Sequence, residues 1–261
     1  MNRQDKKRKK VHPPSWIDEA IAQNAGSEIF RWEADGKGYW IKHGRPTGST
    51  KIHALGYRLS GLPFLHPVEA KDPRQSVLFE AQKLQRLHEA GLPVPPVRWI
   101  TSDFFVMEDR GESLADRLKS VSSDEREMLL GKCVDALGAL HRAGEYHGAS
   151  QIRNFVLDSN GTVSIIDFEE SFPSTASLRS LQFRDLFLLL YSLHRQRTET
   201  DYPRLIERYM RSSGNDDFAF ELHRLYRRFS WIARLVAVDG IRHRLGSDAE
   251  ILHRLFKSIR R

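Results

Sequence analysis

The sequence predicts an α+β fold in two lobes: a small β-rich N-terminal lobe with one main helix, and a larger, mostly helical C-terminal lobe. Three observations lead there. Two pairs of β-branched or aromatic runs flank turn residues, at Glu28–Lys42 and Phe155–Ile166. A single amphipathic stretch, Gln75–Ala90, lies between extended segments, and the last hundred residues carry helical periodicity. At 261 residues the chain can bury a substantial core. We divide it into a basic tail (1–14), an N-terminal lobe (15–108) and a C-terminal lobe (109–261), the two lobes making one domain.

The elements follow in order. A first helix is expected near Ser15–Gln23. Glu28-Ile29-Phe30-Arg31-Trp32 and Gly38-Tyr39-Trp40-Ile41-Lys42 flank Asp35-Gly36 and read as two strands, with Lys42 at the end of the second. From Gly44 to Pro73 the chain is rich in Gly, Pro and His and carries no motif. In the Gln75–Ala90 helix, Val77, Ala81, Leu84 and Leu87 form an apolar stripe, and Glu80 lies on it. A carboxylate on an apolar face is costly without a cation, so Glu80 implies an ionic partner. Glu69 and Glu89 share the stripe less well. A Pro-rich connection, Leu92–Val97, leads to a strand at Phe104-Phe105-Val106-Met107, which enters the charged segment Glu108-Asp109-Arg110-Gly111. A short helix around Ser113–Leu118 and a longer one at Ser123–Ala143 follow, with Asp124 near the capping position and Leu129, Val134, Leu137 and Leu140 facing inward.

The segment with most chemistry comes next. His147-Gly148-Ala149-Ser150-Gln151-Ile152-Arg153-Asn154 precedes a hairpin whose arms are Phe155-Val156-Leu157 and Thr162-Val163-Ser164-Ile165-Ile166. With Asn160 and Gly161 as the central turn residues, Ser159 faces Thr162 and Asn154 faces Asp167. Opposed residues of an antiparallel pair share a face at roughly 4.5 to 5.5 Å between Cα atoms. An amide oxygen and a carboxylate would then converge at the open end of the hairpin, a hard-oxygen arrangement suited to Mg²⁺. Beyond it, Arg184-Asp185 is expected to open a helix running through Leu193.

An Asn and an Asp at this spacing, preceded by His-Gly and followed by Phe168-Glu169, resemble the catalytic loop and metal-binding segment of the protein-kinase-like fold. His-Gly in place of His-Arg, and Asp-Phe-Glu in place of Asp-Phe-Gly, are more similar to small bacterial and archaeal kinase-like families, above all the lipopolysaccharide kinase family, which phosphorylates Kdo or heptose sugars of the inner core. The resemblance implies ATP and Mg²⁺ as cofactors, with Asn154 and Asp167 as metal ligands. It implies that Lys42 contacts the nucleotide phosphates and that Glu80 pairs with Lys42. It further assigns Gly26, in Gln23-Asn24-Ala25-Gly26-Ser27, to a phosphate-covering loop, places Met107 beside the adenine, and gives the hydrogen bonds to adenine to the backbone of Glu108 to Arg110. Asp185 would brace the loop from below, and His147 would be structural. The loop Asp that orients the acceptor hydroxyl is replaced by Ala149. A sugar or glycolipid kinase is therefore the first reading, a nucleotide-binding pseudokinase or scaffold the second, and a small-molecule phosphotransferase a weaker third. Glu145, Glu169 and Glu170 are the carboxylates near enough in sequence to substitute.

Net charge is +7, and Lys6-Lys7-Arg8-Lys9-Lys10 supplies five positives. Each such cation contributes about 1 kcal/mol of attraction to an anionic membrane surface, so the block would hold the enzyme near a lipid-linked acceptor. Nonspecific RNA binding and a plain solvated tail are its other readings; nucleic acid is not the expected partner of the folded part. Further positives fall at Arg224, Arg227, Arg228, Arg234, Arg242 and Arg244, and at Lys257, Arg260 and Arg261. No apolar run approaches the ~20 residues of a membrane helix, and no apolar segment follows the charged start of the chain, so the expected location is cytoplasmic, with peripheral membrane contact. The single Cys133 excludes an internal disulfide and reads as a core thiol.

Overall fold

The computed structural model describes residues 14–48, 66–236, 251, 254–255 and 257–258. The Lys6–Lys10 block lies outside the described residues, as do Arg242, Arg244, Arg260 and Arg261. Helix α1 (Ser15–Gln23) buries Ile17 and Ala20 against a sheet that starts with β1 (Ile29–Ala34) and β2 (Lys37–His43). Ala34 pairs with Lys37, leaving Asp35 and Gly36 as a two-residue loop. Both have positive φ, 51° and 71°, as a type I′ hairpin turn requires. Trp16 stacks on Tyr39 with 5.1 Å between ring centroids, and this helix and sheet form a small core of their own around Ile41 and Val106.

Two further strands complete an antiparallel sheet of order β1-β2-β4-β3: β3 (Val97–Ile100) and β4 (Phe104–Glu108). Strand β3 was not anticipated, because four residues whose register shifts between Val97 and Trp99 give no regular alternation to read. Between β2 and β3 runs α2 (Pro73–Glu89), which starts two residues earlier than its periodicity suggests. Asp72 caps it, accepting from Gln75 N at 2.9 Å while the Gln75 side chain accepts from Asp72 N at 3.3 Å, and Pro73 occupies the first turn.

A second sheet joins β5 (Glu112–Ser113), β6 (Phe155–Leu157) and β7 (Val163–Ile165). Around it lie α3 (Leu114–Arg117), α4 (Ser123–Arg142), α5 (Leu178–Arg195), α6 (Tyr202–Ser213) and α7 (Phe218–Val236). Ser122, not Asp124, caps α4, accepting from Glu125 N at 3.2 Å. The four inward-facing residues expected on α4 are all buried, and so is Cys133. The next helix begins at Leu178 rather than at Arg184, because Ser177 supplies the cap upstream; Asp185 is therefore in mid-helix.

The register of the β6–β7 hairpin is a second correction. Phe155 pairs with Ile165 and Leu157 with Val163, so Asn154 lies across from Ile166, whose N–H it receives at 2.9 Å, and not from Asp167. The loop holds three residues, with Gly161 at φ 74°. The Asp158 side chain fixes it by accepting from Asn160 N and Thr162 N at 2.9 and 2.8 Å. A three-residue loop with a left-handed last position satisfies the same turn signal as a two-residue loop and shifts every pair by one.

One apolar core runs from Val77, Leu84 and Leu87 of α2, through Phe105 and Met107 of β4, to Phe168 and the helices behind it. Each fully buried Leu or Phe contributes about 1.5–3 kcal/mol. The helix bearing Glu80 is thus anchored in the same core as the loop bearing Asp167. The result is the mixed α+β fold with a small antiparallel sheet region and several helices that the sequence predicts. Among the described residues no helix is long and apolar enough to cross a membrane.

Candidate active site

Lys42 is brought to the site by the β2–β4 register, which pairs it with Phe105. Its stem is nearly buried, and its ammonium lies 2.8 Å from Glu80 Oε2, 2.6 Å from Asp167 Oδ1 and 3.6 Å from Glu169 Oε2. Glu80 is 2% exposed, so Lys42 is the ionic partner that the apolar stripe demanded. Asp167 reaches this point through its backbone: φ is 73°, a left-handed conformation rare outside Gly and Asn or Asp, which turns the carboxylate out of the hairpin plane. The strand register alone would have sent it elsewhere.

Burial acts against the Lys42 ammonium, but Glu80, Asp167 and Glu169 outweigh it and hold the amine protonated well above its ordinary range. Burial would likewise raise Asp167, yet Lys42 keeps it below the usual carboxylate value. Glu80 is pushed up to about 7, because full burial and the neighbouring Asp167 exceed what Lys42 returns. Arg45, in a segment without a sequence signal, donates from Nε to Glu169 at 3.1 Å. Three carboxylates thus face two cations.

Oxygens of Glu80, Asp167 and Glu169 all lie within 4.8 Å of one another. Hard oxygens this close, carrying an uncompensated negative charge, fit a small divalent cation that also takes phosphate ligands. Asn154 is buried in the 3₁₀ turn Ile152–Asn154 and donates from Nδ2 to Ala149 O at 2.9 Å, which directs its amide oxygen away from that carbonyl. That bond fixes Asn154 in the loop wall.

Below the loop, Asp185 accepts from His147 N at 2.7 Å, Gly148 N at 2.8 Å and His141 Nε2 at 3.2 Å. Burial would raise its carboxyl, but the His141 hydrogen bond and the loop around it hold it below the ordinary range. His147 is fully buried, accepts from Ala149 N at 3.0 Å through Nδ1, and reaches Ile166 O at 2.8 Å through Nε2. Those partners assign a neutral ring with its proton on Nε2, and burial lowers its pKa accordingly. Its ring lies 4.6 Å from Phe168 between centroids.

The linker is held more tightly than its sequence suggests. Asp109 accepts from Arg31 Nε at 2.6 Å, Trp40 Nε1 at 3.2 Å and Gly111 N at 3.0 Å, tying β1 and β2 to it. The N–H groups of Glu108 and Asp109 donate to Pro96 O and Gly38 O. Of the backbone donors assigned to adenine, those two are therefore spent, and only Arg110 N–H, with the linker carbonyls, remains for that role. Met107 is almost fully buried beside α2, Glu108 pairs with Arg98 at 2.8 Å, and Arg110 Nη2 lies 3.4 Å from Glu108. Gly111 has φ 96°, and a Cβ there would fall 1.9 Å from Leu157 O. Gly26 is exposed at the Lys42 end of the sheet with nothing within 4 Å of a built Cβ, and no contact among the described residues joins it to the cluster.

A profile of the lipopolysaccharide kinase (Kdo/WaaP) family matches residues 67–209. An uncharacterized protein of Haemophilus influenzae is 25% identical over 225 residues, 85% of this chain and 86% of its own. The probable serine/threonine-protein kinase ndrC of Dictyostelium discoideum is 26% identical over 109 residues, 36% of this chain and 8% of that much longer protein.

Proposed function

Since this chain belongs to the lipopolysaccharide kinase (Kdo/WaaP) family, we propose that it is an ATP- and Mg²⁺-dependent phosphotransferase acting on a lipopolysaccharide inner-core sugar or a related glycolipid. The observation that carries this reading is the bridge from Lys42 to both Glu80 and Asp167. Lys42 would hold the α- and β-phosphates, Glu80 would fix Lys42, and Asp167 with Glu169 and Asn154 would hold Mg²⁺, which when bound neutralises the transferring phosphoryl charge. Met107 would flank the adenine, and Gly26 would cover the phosphates. Catalysis at such a site is mostly positioning and charge neutralisation, so it tolerates weak general-base assistance. The Lys6–Lys10 block would bring the enzyme to the cytoplasmic face of an anionic membrane.

Ala149 favours a second reading, a nucleotide-binding pseudokinase without transfer activity. One loop carboxylate is commonly worth 10² to 10⁴ in rate, roughly 3 to 5 kcal/mol. Measuring phosphate transfer from ATP to purified inner-core lipopolysaccharide, together with thermal stabilisation by ATP·Mg²⁺, separates the two. Stabilisation with transfer supports the kinase; stabilisation without transfer to any acceptor supports the pseudokinase. Absence of both excludes a nucleotide site.

A further inference from the structure

Lys83 stands one turn beyond Glu80 on the buried face of α2. Three carboxylates meet the ammonium of Lys42, whereas no acceptor meets that of Lys83. Lys83 is 6% exposed, and its ammonium has no hydrogen-bond partner among the described residues. It rests instead over aromatic rings, 3.9 Å from the Tyr146 centroid, 5.3 Å from Phe168 and 5.8 Å from Phe79. Rings attract a cation but offer no oxygen to its three N–H donors. A buried ammonium in that state is costly. Burial lowers its pKa to about 8 in spite of Asp185 and Glu145.

A cavity of about 330 Å³ opens at the same place, lined by Phe79, Gln82, Lys83, Arg86, Glu145 and Tyr146. Its volume lies at the lower end of the range of about 300 to 1,000 Å³ typical of small-molecule sites. Arg86 and Glu145 are spent on each other, with Nη2 donating to Oε2 at 3.1 Å. The lining therefore carries one uncompensated charge, the Lys83 ammonium, which sits over the rings of two other lining residues, Phe79 and Tyr146. Gln82 is exposed and adds an amide donor. One buried cation calls for one negative charge, so a carboxylate matches it and a phosphate dianion exceeds it. The two rings suit an apolar body behind that head.

We propose that this cavity is a binding site for a small organic carboxylate, whose head takes the Lys83 ammonium and the Gln82 amide and whose apolar body packs on Phe79 and Tyr146. The carboxylate supplies the oxygens that the rings cannot, in hydrogen bonds strengthened by charge on both partners. None of the lining residues belongs to the Lys42, Glu80 and Asp167 cluster, so the site goes beyond the phosphotransferase reading and does not depend on it. Its walls are α2, which carries Glu80, and the segment that runs into His147. An occupant therefore touches two elements that also build the cleft.

The test titrates the full-length protein, without nucleotide and at constant ionic strength, with benzoate, with its neutral analogue benzamide and with inorganic phosphate. Binding is read by thermal shift and by NMR. Benzoate is expected to bind with a Kd of about 1 mM, the range open to a ligand of so few atoms. Benzamide and phosphate are each expected to bind at least about tenfold more weakly, and Lys83→Met to weaken benzoate by a similar factor. If Lys83→Met fails to fold, Gln82→Glu changes an exposed residue only and sets a carboxylate of the protein's own beside the ammonium; it is expected to abolish benzoate binding. No benzoate binding up to about 10 mM overturns the proposal. So does benzamide or phosphate binding as tightly as benzoate, or benzoate binding unchanged in Lys83→Met or in Gln82→Glu. Because no arm uses ATP, these outcomes stand apart from any failure of the phosphotransferase reading.

Discussion

Lys42 Nζ stands 2.6 Å from Asp167 and 2.8 Å from Glu80, so one ammonium joins strand β2, helix α2 and the segment after β7. Removing it strands a buried Glu80 with two other carboxylates nearby. Breaking a buried pair by deleting one partner costs about 3–5 kcal/mol. Lys42→Met is therefore expected to lower the melting temperature in the absence of nucleotide, and Lys42→Met with Glu80→Gln to recover part of the loss. Thermal denaturation of the three proteins checks this; a double variant no more stable than the single would remove the pairing argument.

Asp185 ties down the loop from α5 through two backbone amides and His141. Asp185→Asn keeps the shape but cannot accept from all three donors as a charged group does. A cost of about 2–4 kcal/mol is expected, with loss of any turnover, since charged acceptors of buried hydrogen bonds are the expensive ones to remove. Urea denaturation gives the value, and an unchanged midpoint would show that the loop stands without it.

Gly111 marks where the linker passes Leu157. Gly111→Ala adds both left-handed strain and a Cβ 1.9 Å from a carbonyl oxygen that cannot yield. About 1–3 kcal/mol of destabilisation is expected from the backbone strain alone. Gly214→Ala serves as the control, because that position shares the positive φ but meets nothing within 4 Å.

His194 should also withdraw stability on acidification. His194 stacks on Tyr202 at 4.1 Å, and burial, with Arg254 nearby, lowers its pKa to about 4 from an ordinary 6.5. Between those values the unfolded chain binds a proton that the folded chain refuses, so the stability present above pH 6.5 is lost as the pH falls toward 4. His147 acts in the same direction. Because Glu80, pushed up to about 7, contributes in the opposite direction, the check is a difference: relative to His194→Gln, the wild type is expected to lose melting temperature as the pH is lowered from 6.5 to 4, and no relative change would remove His194 from the cause.

The pieces of the site legible in the sequence were those fixed by local pattern. Glu80 was readable because a charge interrupts a buried stripe, and Lys42 because the family resemblance asks for a lysine near the end of the strand that follows the Asp35-Gly36 turn. Other features depended on geometry that the pattern does not encode. The Asp158-Ser159-Asn160-Gly161 turn serves two registers equally well, so the placing of Asp167 hung on a left-handed φ at that residue. Arg45 and Asp109 act through contacts 124 and 78 residues away in the chain, to Glu169 and Arg31, and nothing in their own neighbourhood announces it. The cap at Ser177 moved the start of α5, which made Asp185 a mid-helix brace.

The most direct test of the nucleotide site is the binding of ATP·Mg²⁺ to wild type and Asp167→Ala, followed by thermal shift and by titration calorimetry with and without Mg²⁺. The wild type is expected to bind and to be stabilised in a Mg²⁺-dependent way, and Asp167→Ala to lose both the stabilisation and the dependence on the metal. Equal binding by the two proteins, or none by either, would contradict the assignment of Lys42, Glu80 and Asp167 to a metal–nucleotide cleft.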